Sequence, residues 1–197
     1  WYQGELDDAQ SDFDRSLAVL IEAQKLAPDN TDLQFQLATI DNNAGHVLEG
    51  RGRIDEATVH YQRMLVTAKR LVGHDATNVE WQNLLGLAHN NLAKMALLRG
   101  DLASAIASYR ADVTIEAALA EKDPRNNAQA EKLLISRGAL GRTLALAGAL
   151  EEGSSILAQA LVDARRLAEI EPDSAAFRED LGIYSWQLAR LLRLQGD

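Results

Sequence analysis

The chain has 197 residues, of which 47% are hydrophobic and 25% are charged, and its formal net charge is −9. This composition is typical of a globular chain with a buried core and excludes an intrinsically disordered protein. The absence of cysteine excludes disulfides, thiolate nucleophiles and thiolate metal sites. The acidic balance argues against nucleic acid as a partner, because sequence-independent binding requires a basic face. No apolar run approaches the roughly 20 residues of a membrane span.

Glycine recurs along the chain at a fixed interval of 48 residues, at positions 4, 52, 100, 148 and 196. An alanine stands five residues after each of the first three glycines, and an aromatic residue stands four residues after that alanine. Gly52, Ala57 and Tyr61 show this arrangement in one copy. A fixed period of this length indicates an array of stacked repeats. We therefore predict repeat turns at these five glycines, within a single repeat domain that spans 1–197.

Between the glycines, the apolar residues follow helical spacing, and no segment alternates with period two over the length of a strand. The pattern predicts an all-α fold. The predicted helices number eight, with about 20 residues each, near 5–26, 31–50, 54–73, 77–98, 102–122, 126–146, 150–170 and 174–195.

The ends of these helices carry recognisable signals. Prolines that disfavour continuing the helix, and residues that can cap the next one, stand together at three boundaries: Pro28 with Asn30, Pro124 with Asn126, and Pro172 with Ser174. The remaining boundary of this type has no proline. There we expect Gly73 to end one helix, and Thr77 with Glu80 to form a capping box at the start of the next.

These features resemble the tetratricopeptide repeat. The glycine turn followed by an alanine and an aromatic residue, and the proline before the next helix, match that family, and Trp81, Leu85 and Gly86 retain part of its first-helix pattern. The period exceeds the family's usual length of about 34 residues by one heptad per helix, which preserves the buried face of each helix. The resemblance covers the whole chain. It implies a right-handed superhelical α-solenoid of antiparallel helix pairs.

Repeats with such a long period look like the arrays attached to bacterial signalling proteins such as kinases, cyclases and transcription regulators. The resemblance thus implies a protein–protein interaction scaffold within a larger signalling or regulatory protein, in the cytoplasm. Trp1 and Asp197 fall at equivalent points of the repeat. We therefore expect a fragment of a longer array that lacks its native N-terminus.

The sequence offers no catalytic template. The four histidines, at 46, 60, 74 and 89, do not form the four-residue helical pair of a zinc site. The Gly50-Arg51-Gly52 turn lacks the lysine and hydroxyl residue of a phosphate-binding loop. We expect that the chain is not an enzyme and has no catalytic residues, no metal site and no cofactor.

In the family that the chain resembles, the first helix of each pair lines a concave groove. One repeat position on that face holds Asn42, Asn90, Gly138 and Trp186, and another holds His46, Lys94, Arg142 and Arg190. The asparagines resemble groove residues that hold a ligand's backbone, since an amide both donates and accepts hydrogen bonds. A column of cations favours an acidic peptide or protein, which arginine can bind with two hydrogen bonds. The predicted partner-binding residues are Asn42, His46, Asn90, Lys94, Arg142, Trp186 and Arg190.

Other interpretations remain open. The cations could form ordinary surface pairs with Glu49, Glu131 or Glu179, which would contribute little to stability. The groove could instead bind a small anionic metabolite and regulate an attached enzyme, or the array could be a structural or dimerisation arm. An apolar strip on the last helix favours self-association through residues Leu188, Leu191, Leu192 and Leu194.

Overall fold

The computed structural model describes the backbone of residues 3–196 and the side chains of residues 11–13 and 15–196. All regular structure in this range is helical, and each helix begins and ends within two residues of its predicted bounds. The first four helices are α1 (Gln3–Leu26), α2 (Thr31–Gly50), α3 (Ile54–His74) and α4 (Val79–Leu98). The other four are α5 (Leu102–Lys122), α6 (Asn127–Leu146), α7 (Leu150–Ile170) and α8 (Ala175–Gln195). The predicted all-α class of helical repeats is confirmed.

The chain divides into two compact units, with the boundary between Leu98 and Arg99. The first unit contains α1–α4 and the second contains α5–α8. Within each unit every helix packs against the next one in sequence, and α2 also contacts α4, as α6 contacts α8. The single repeat domain over 1–197 stays a prediction. None of the helices in the described range is long and apolar enough to cross a membrane.

One helix lies at the centre of each core. In the first unit, Tyr61, Met64, Ala68 and Leu71 of α3 are completely buried at helical spacing. In the second unit, the buried residues of α7 are Leu157, Ala160, Ala164 and Leu167. Each of these helices packs between two neighbours, so its buried stripe determines how the flanking helices, and the residues they expose, are placed.

Glycine turns join the two helices of a pair. Gly52 has φ of 73°, a left-handed conformation that a residue with a Cβ rarely adopts. Its N–H donates to the Glu49 carbonyl, and the Arg53 N–H donates to the Leu48 carbonyl, which completes a Schellman motif at the end of α2. Gly100, Gly148 and Gly196 also have positive φ. Gly4, the first glycine of the series, lies within α1.

The structure corrects two details at the boundary between α3 and α4. Gly73 does not end α3, because the helix continues to His74. The predicted capping box at Thr77 is also wrong: the Asn78 side chain accepts from the Trp81 N–H at 3.1 Å, while the Thr77 hydroxyl donates to Asp75. Asn78 stands one period after Asn30 and one before Asn126, and all three cap a helix by the same bond.

We expect Asn78→Ala to lower the free energy of unfolding by about 1 kcal/mol, because the Trp81 N–H loses its acceptor at the start of α4. The melting temperature followed by circular dichroism measures this loss. Thr77→Ala is the matched control and should change the free energy by no more than about 0.5 kcal/mol. An equal loss in the two variants would show that Asn78 is not the dominant cap.

Two buried carboxyl groups lie one turn apart on α5. Asp112 is 1% exposed and Glu116 is 3% exposed, and the Gln129 amide of α6 donates to Glu116. Burial raises the pKa of Glu116 to about 7, and the negative charge of Asp112 adds to the increase. The Gln129 hydrogen bond and Lys132 oppose it. Glu116 therefore changes its charge near neutral pH at a buried position between α5 and α6.

Because the pKa of Glu116 is higher in the folded state, the stability that this group contributes is present below about pH 4.5 and is lost as the pH rises through 7. We expect the melting temperature to fall by several degrees between pH 5 and pH 8. In Glu116→Gln this fall should be smaller, since the amide does not titrate. Glu121→Gln, an exposed change on the same helix, should leave the pH dependence as in the wild type. A fall of the same size in Glu116→Gln would refute the assignment.

Candidate functional site

In the first unit, two predicted cations surround one carboxylate. The Lys94 Nζ lies 2.8 Å from Glu49 Oε2, and His46 Nδ1 lies 3.6 Å from the same oxygen. The Tyr61 hydroxyl donates to Glu49 Oε2 at 3.1 Å and lies 3.0 Å from His46 Nδ1. Through these contacts the four side chains form one polar cluster within the first unit.

The charges in this cluster compensate one another. Burial lowers the pKa of His46, and the positive charge of Lys94 lowers it further, although Glu49 opposes both. Burial also raises the pKa of the Tyr61 phenol, and Glu49 adds to the increase. His46 is therefore neutral at pH 7, and Lys94 forms the pair with Glu49 that the sequence left open as an alternative. The predicted column is not a row of four available cations.

The asparagines of the first unit join its helices. The Asn91 amide of α4, which is buried, donates to Asn42 Oδ1 of α2 at 2.9 Å. The Asn42 amide donates in turn to Asn43 Oδ1 at 3.3 Å. Asn90 is half-buried. In the structure, therefore, Asn42 connects α2 to α4.

In the second unit, the other three predicted residues lie around one groove. Arg142 of α6 and Trp186 and Arg190 of α8 line a cavity of about 280 Å³. Its apolar walls are formed by Ala145, Leu146, Leu150, Leu157, Leu191 and Leu194. Sequence reasoning missed these walls, although the alanine at 145 and the leucine at 157 already depart from Glu49 and Tyr61 two periods earlier.

The edge of this groove is positively charged and carries an exposed indole. Trp186 is 62% exposed, and the Arg190 guanidinium carbon lies 5.6 Å from the centre of its ring, a cation–π distance. Arg142 Nη1 lies 3.5 Å from Gln187 Oε1. Among the described residues, neither arginine forms an ion pair with a carboxylate. This edge can therefore attract an anion that lies beside an apolar group.

Gly138, which shares the repeat position of Asn42 and Trp186, is not a groove residue. It is buried in α6 beneath Tyr184 of α8, and a Cβ on Gly138 would lie 2.2 Å from a Tyr184 ring carbon. Burial raises the pKa of Tyr184, although nearby Arg142 opposes the increase. The tyrosine ring thus fills the space between α6 and α8 directly behind Arg142.

The apolar strip predicted on the last helix is largely covered. Leu191 is 5% exposed and belongs to the core of the second unit, and Leu188 packs against that core. Leu192 is half-buried, so Leu194, at 65% exposure, is the one leucine of the four that is fully available. Leu191 and Leu194 also line the groove, so this part of the strip belongs to the groove wall.

The described residues contain no group of three or more His, Asp or Glu side chains placed to hold a metal ion. The two arginines and the indole of the second unit are groups that suit non-covalent binding.

Residues 37–75, which include most of α2 and all of α3, match the family model of the tetratricopeptide repeat. These residues therefore match one tetratricopeptide repeat. The resemblance predicted from the sequence is therefore confirmed, and the matched tetratricopeptide repeat carries His46, Glu49 and Tyr61 of the first-unit cluster.

Solved structures also resemble the chain. BtubC (BKLC) from P. vanneervenii is 15% identical, with a TM-score of 0.55, over 97% of this chain and 78% of that one. MamA AMB-1 is 16% identical over 95% of this chain and 86% of its own, with a TM-score of 0.39. The de novo designed helical repeat protein DHR64 is 13% identical over 95% and 96%, with a TM-score of 0.38. The likeness to BtubC shows a shared fold alone. No curated protein matches the chain in sequence.

We expect Gly138→Ala to lower the free energy of unfolding by about 1–3 kcal/mol, because the added methyl group overlaps the Tyr184 ring. Gly182→Ala is the matched control in α8. A Cβ there meets nothing within 4 Å, so alanine should stabilise the helix by up to about 1 kcal/mol. Urea denaturation of both variants measures the two effects. A neutral or stabilising Gly138→Ala would show that Tyr184 does not require the glycine.

Proposed function

We propose that the chain is a non-enzymatic scaffold that binds a peptide or protein segment, and that its principal binding site is the groove edged by Arg142, Trp186 and Arg190. The observation that carries the proposal is an exposed indole, stacked with an arginine, beside an apolar cavity. Tryptophan and arginine are the residues most enriched among the energetic centres of protein interfaces. Repeats of the tetratricopeptide type commonly mediate protein–protein interaction, which supports the same function.

The pairing of the predicted cations favours the groove of the second unit as the binding site for an acidic segment. An acidic ligand at His46 and Lys94 would have to displace Glu49 from its existing contacts. At Arg142 and Arg190 no carboxylate of the described residues competes. Asn42, His46, Asn90 and Lys94 therefore remain candidate contacts of secondary importance.

The size of the groove favours a side chain of a partner over a free metabolite. Its volume of about 280 Å³ lies at the lower limit of the roughly 300–1,000 Å³ of small-molecule sites. A small-ligand sensor is accordingly the weaker alternative. Self-association through the last helix depends mainly on Leu194, the exposed leucine of the strip, and is a further candidate for the same groove.

We also place this scaffold in a larger bacterial signalling or regulatory protein of the cytoplasm. The long repeat period, and the absence of cysteine, which suits a reducing compartment, support this setting. The attached domain would use the scaffold to select its partner.

An array of immobilised acidic and C-terminal peptides tests the proposal, with the double reversal Arg142→Glu, Arg190→Glu compared with the wild type. We expect the reversal to weaken binding by at least about tenfold, or 1.4 kcal/mol, since attraction of an anion becomes repulsion at both positions. Arg165→Glu with Arg193→Glu is the control, because both of these arginines are exposed and lie outside the groove. It should bind as the wild type does.

The result that would contradict the proposal is equal binding by the wild type and both double variants, or no binding by the wild type to any peptide. Circular dichroism of each variant should show the helical spectrum and melting transition of the wild type, so that a loss of binding reports on the groove.

A further inference from the structure

The repeat period allows the groove to be compared with its counterpart in the first unit. Two periods of 48 residues place Arg142 and Arg190 at the positions of His46 and Lys94, and Ala145 at the position of Glu49. Leu157 likewise takes the position of Tyr61. The helices also approach in the same way: a Cβ added to Gly45 would lie 2.5 Å from the Tyr61 ring, and one added to Gly141 would lie 2.8 Å from Leu157 Cγ.

In the first unit, this position is completed from within. The Tyr61 ring is completely buried, and its hydroxyl donates to Glu49. Glu49 in turn forms an ion pair with Lys94, in which Oε2 lies 2.8 Å from Nζ. In the first unit, the Tyr61 ring thus fills the apolar space, and the Glu49 carboxylate pairs with the cation.

In the second unit, the ring and the carboxylate are missing while the cations are retained. Leu157 has neither the outer half of a ring nor a hydroxyl, and Ala145 has no charge. The histidine and lysine positions are both arginine, so positive charge is at least as strong there. The cavity of about 280 Å³ lies against both truncated residues. A cavity of roughly 150 Å³ holds a benzene ring, so the groove has room for an aromatic side chain.

We propose that the groove of the second unit binds an internal segment of a partner protein in which an acidic residue stands near an aromatic one. The partner would supply from outside the two groups that Tyr61 and Glu49 supply within the first unit. The aromatic side chain would enter the cavity against Leu157, and the carboxylate would bind Arg142 and Arg190. This inference rests on the proposed function and specifies the chemistry of its partner.

Trp186 fits this partner as well. Its counterpart in the first unit is Asn90, and the exchange of an amide for an indole adds an exposed aromatic face at the edge of the groove. An aromatic side chain can pack against that face, with a contribution beyond simple burial of area. The Arg190 guanidinium lies 5.6 Å from the centre of the indole, so a carboxylate bound to Arg190 would lie near this aromatic face.

The first test uses peptides with both ends blocked, in which one glutamate and one tyrosine are separated by zero to three alanines. Fluorescence polarisation measures their binding to the wild type. We expect at least one spacing to bind, and replacement of its glutamate by glutamine, or of its tyrosine by alanine, to weaken binding at least about tenfold. Blocked ends ensure that a terminal carboxylate does not replace the glutamate.

The second test transfers the internal groups of the first unit into the groove, by Ala145→Glu together with Leu157→Tyr. We expect this variant to lose binding by at least about tenfold, because its own side chains occupy the cavity and pair with the arginines. Val162→Glu with Ile170→Tyr adds the same two side chains at exposed positions of α7 outside the groove, and should bind normally. A melting temperature at or above that of the wild type would establish that the transferred pair folds into place.

The outcomes separate this inference from the proposed function. If other peptides bind and lose affinity on reversal of the two arginines, but the transferred pair has no effect, this inference is overturned and the proposed function stands. This inference is also overturned if replacement of the tyrosine by alanine leaves the affinity unchanged, or if none of the glutamate–tyrosine peptides binds. Binding that survives reversal of both arginines overturns both proposals.

Discussion

The close approach of the two helices in a pair is the contact on which the rest of the arrangement depends. It requires a residue without a side chain in the first helix, which is Gly45 in α2 and Gly141 in α6. Because this approach brings the second helix so near, the side chain opposite the glycine lies directly beside the first helix. Whether that side chain is Tyr61 or Leu157 therefore decides how much space is left next to the column of cations. Helix packing and the shape of the proposed binding surface thus depend on the same contact.

The two units show how one repeat position can be either closed or open with few changes. Tyr61 and Glu49 close it by filling space and by neutralising Lys94, and Leu157 and Ala145 leave space and charge. The apolar core beneath the position is similar in both units, with a stripe of buried residues on the central helix. Stability and recognition are separable in such a structure because the stripe that holds the helices together is not the surface that differs.

The fold could be predicted from the sequence because glycine turns and helix caps act locally. Gly52 requires a left-handed φ, and Asn30 can bond only to an N–H a few residues away, so both signals survive without knowledge of the neighbouring helices. The missed cap at Asn78 was also available, since it stands at the same point of the period. The site was predicted less completely. Its missing parts depend on contacts between helices: the pairing of Lys94 with Glu49, the covering of Gly138 by Tyr184 and the walls of the groove. Periodicity predicts which face of a helix carries a residue, but it does not predict which residue of another helix that residue contacts.

The contact between Gly138 and Tyr184 has a consequence for the order of the repeats. The other copies hold Ile40, Ala88 and Ser136 at the position of Tyr184, and Asn42, Asn90 and Trp186, all larger than glycine, at the position of Gly138. Tyr184 of α8 packs against α6 at Gly138, where any residue with a Cβ would overlap the tyrosine ring. Although the repeats have the same length, they are consequently not interchangeable: α6 and α8 fit each other as neighbours, and in another order Tyr184 would meet a residue larger than glycine. The order of the repeats is thus constrained by matching side-chain sizes at the contact between neighbouring repeats, and not only by the common length of each repeat.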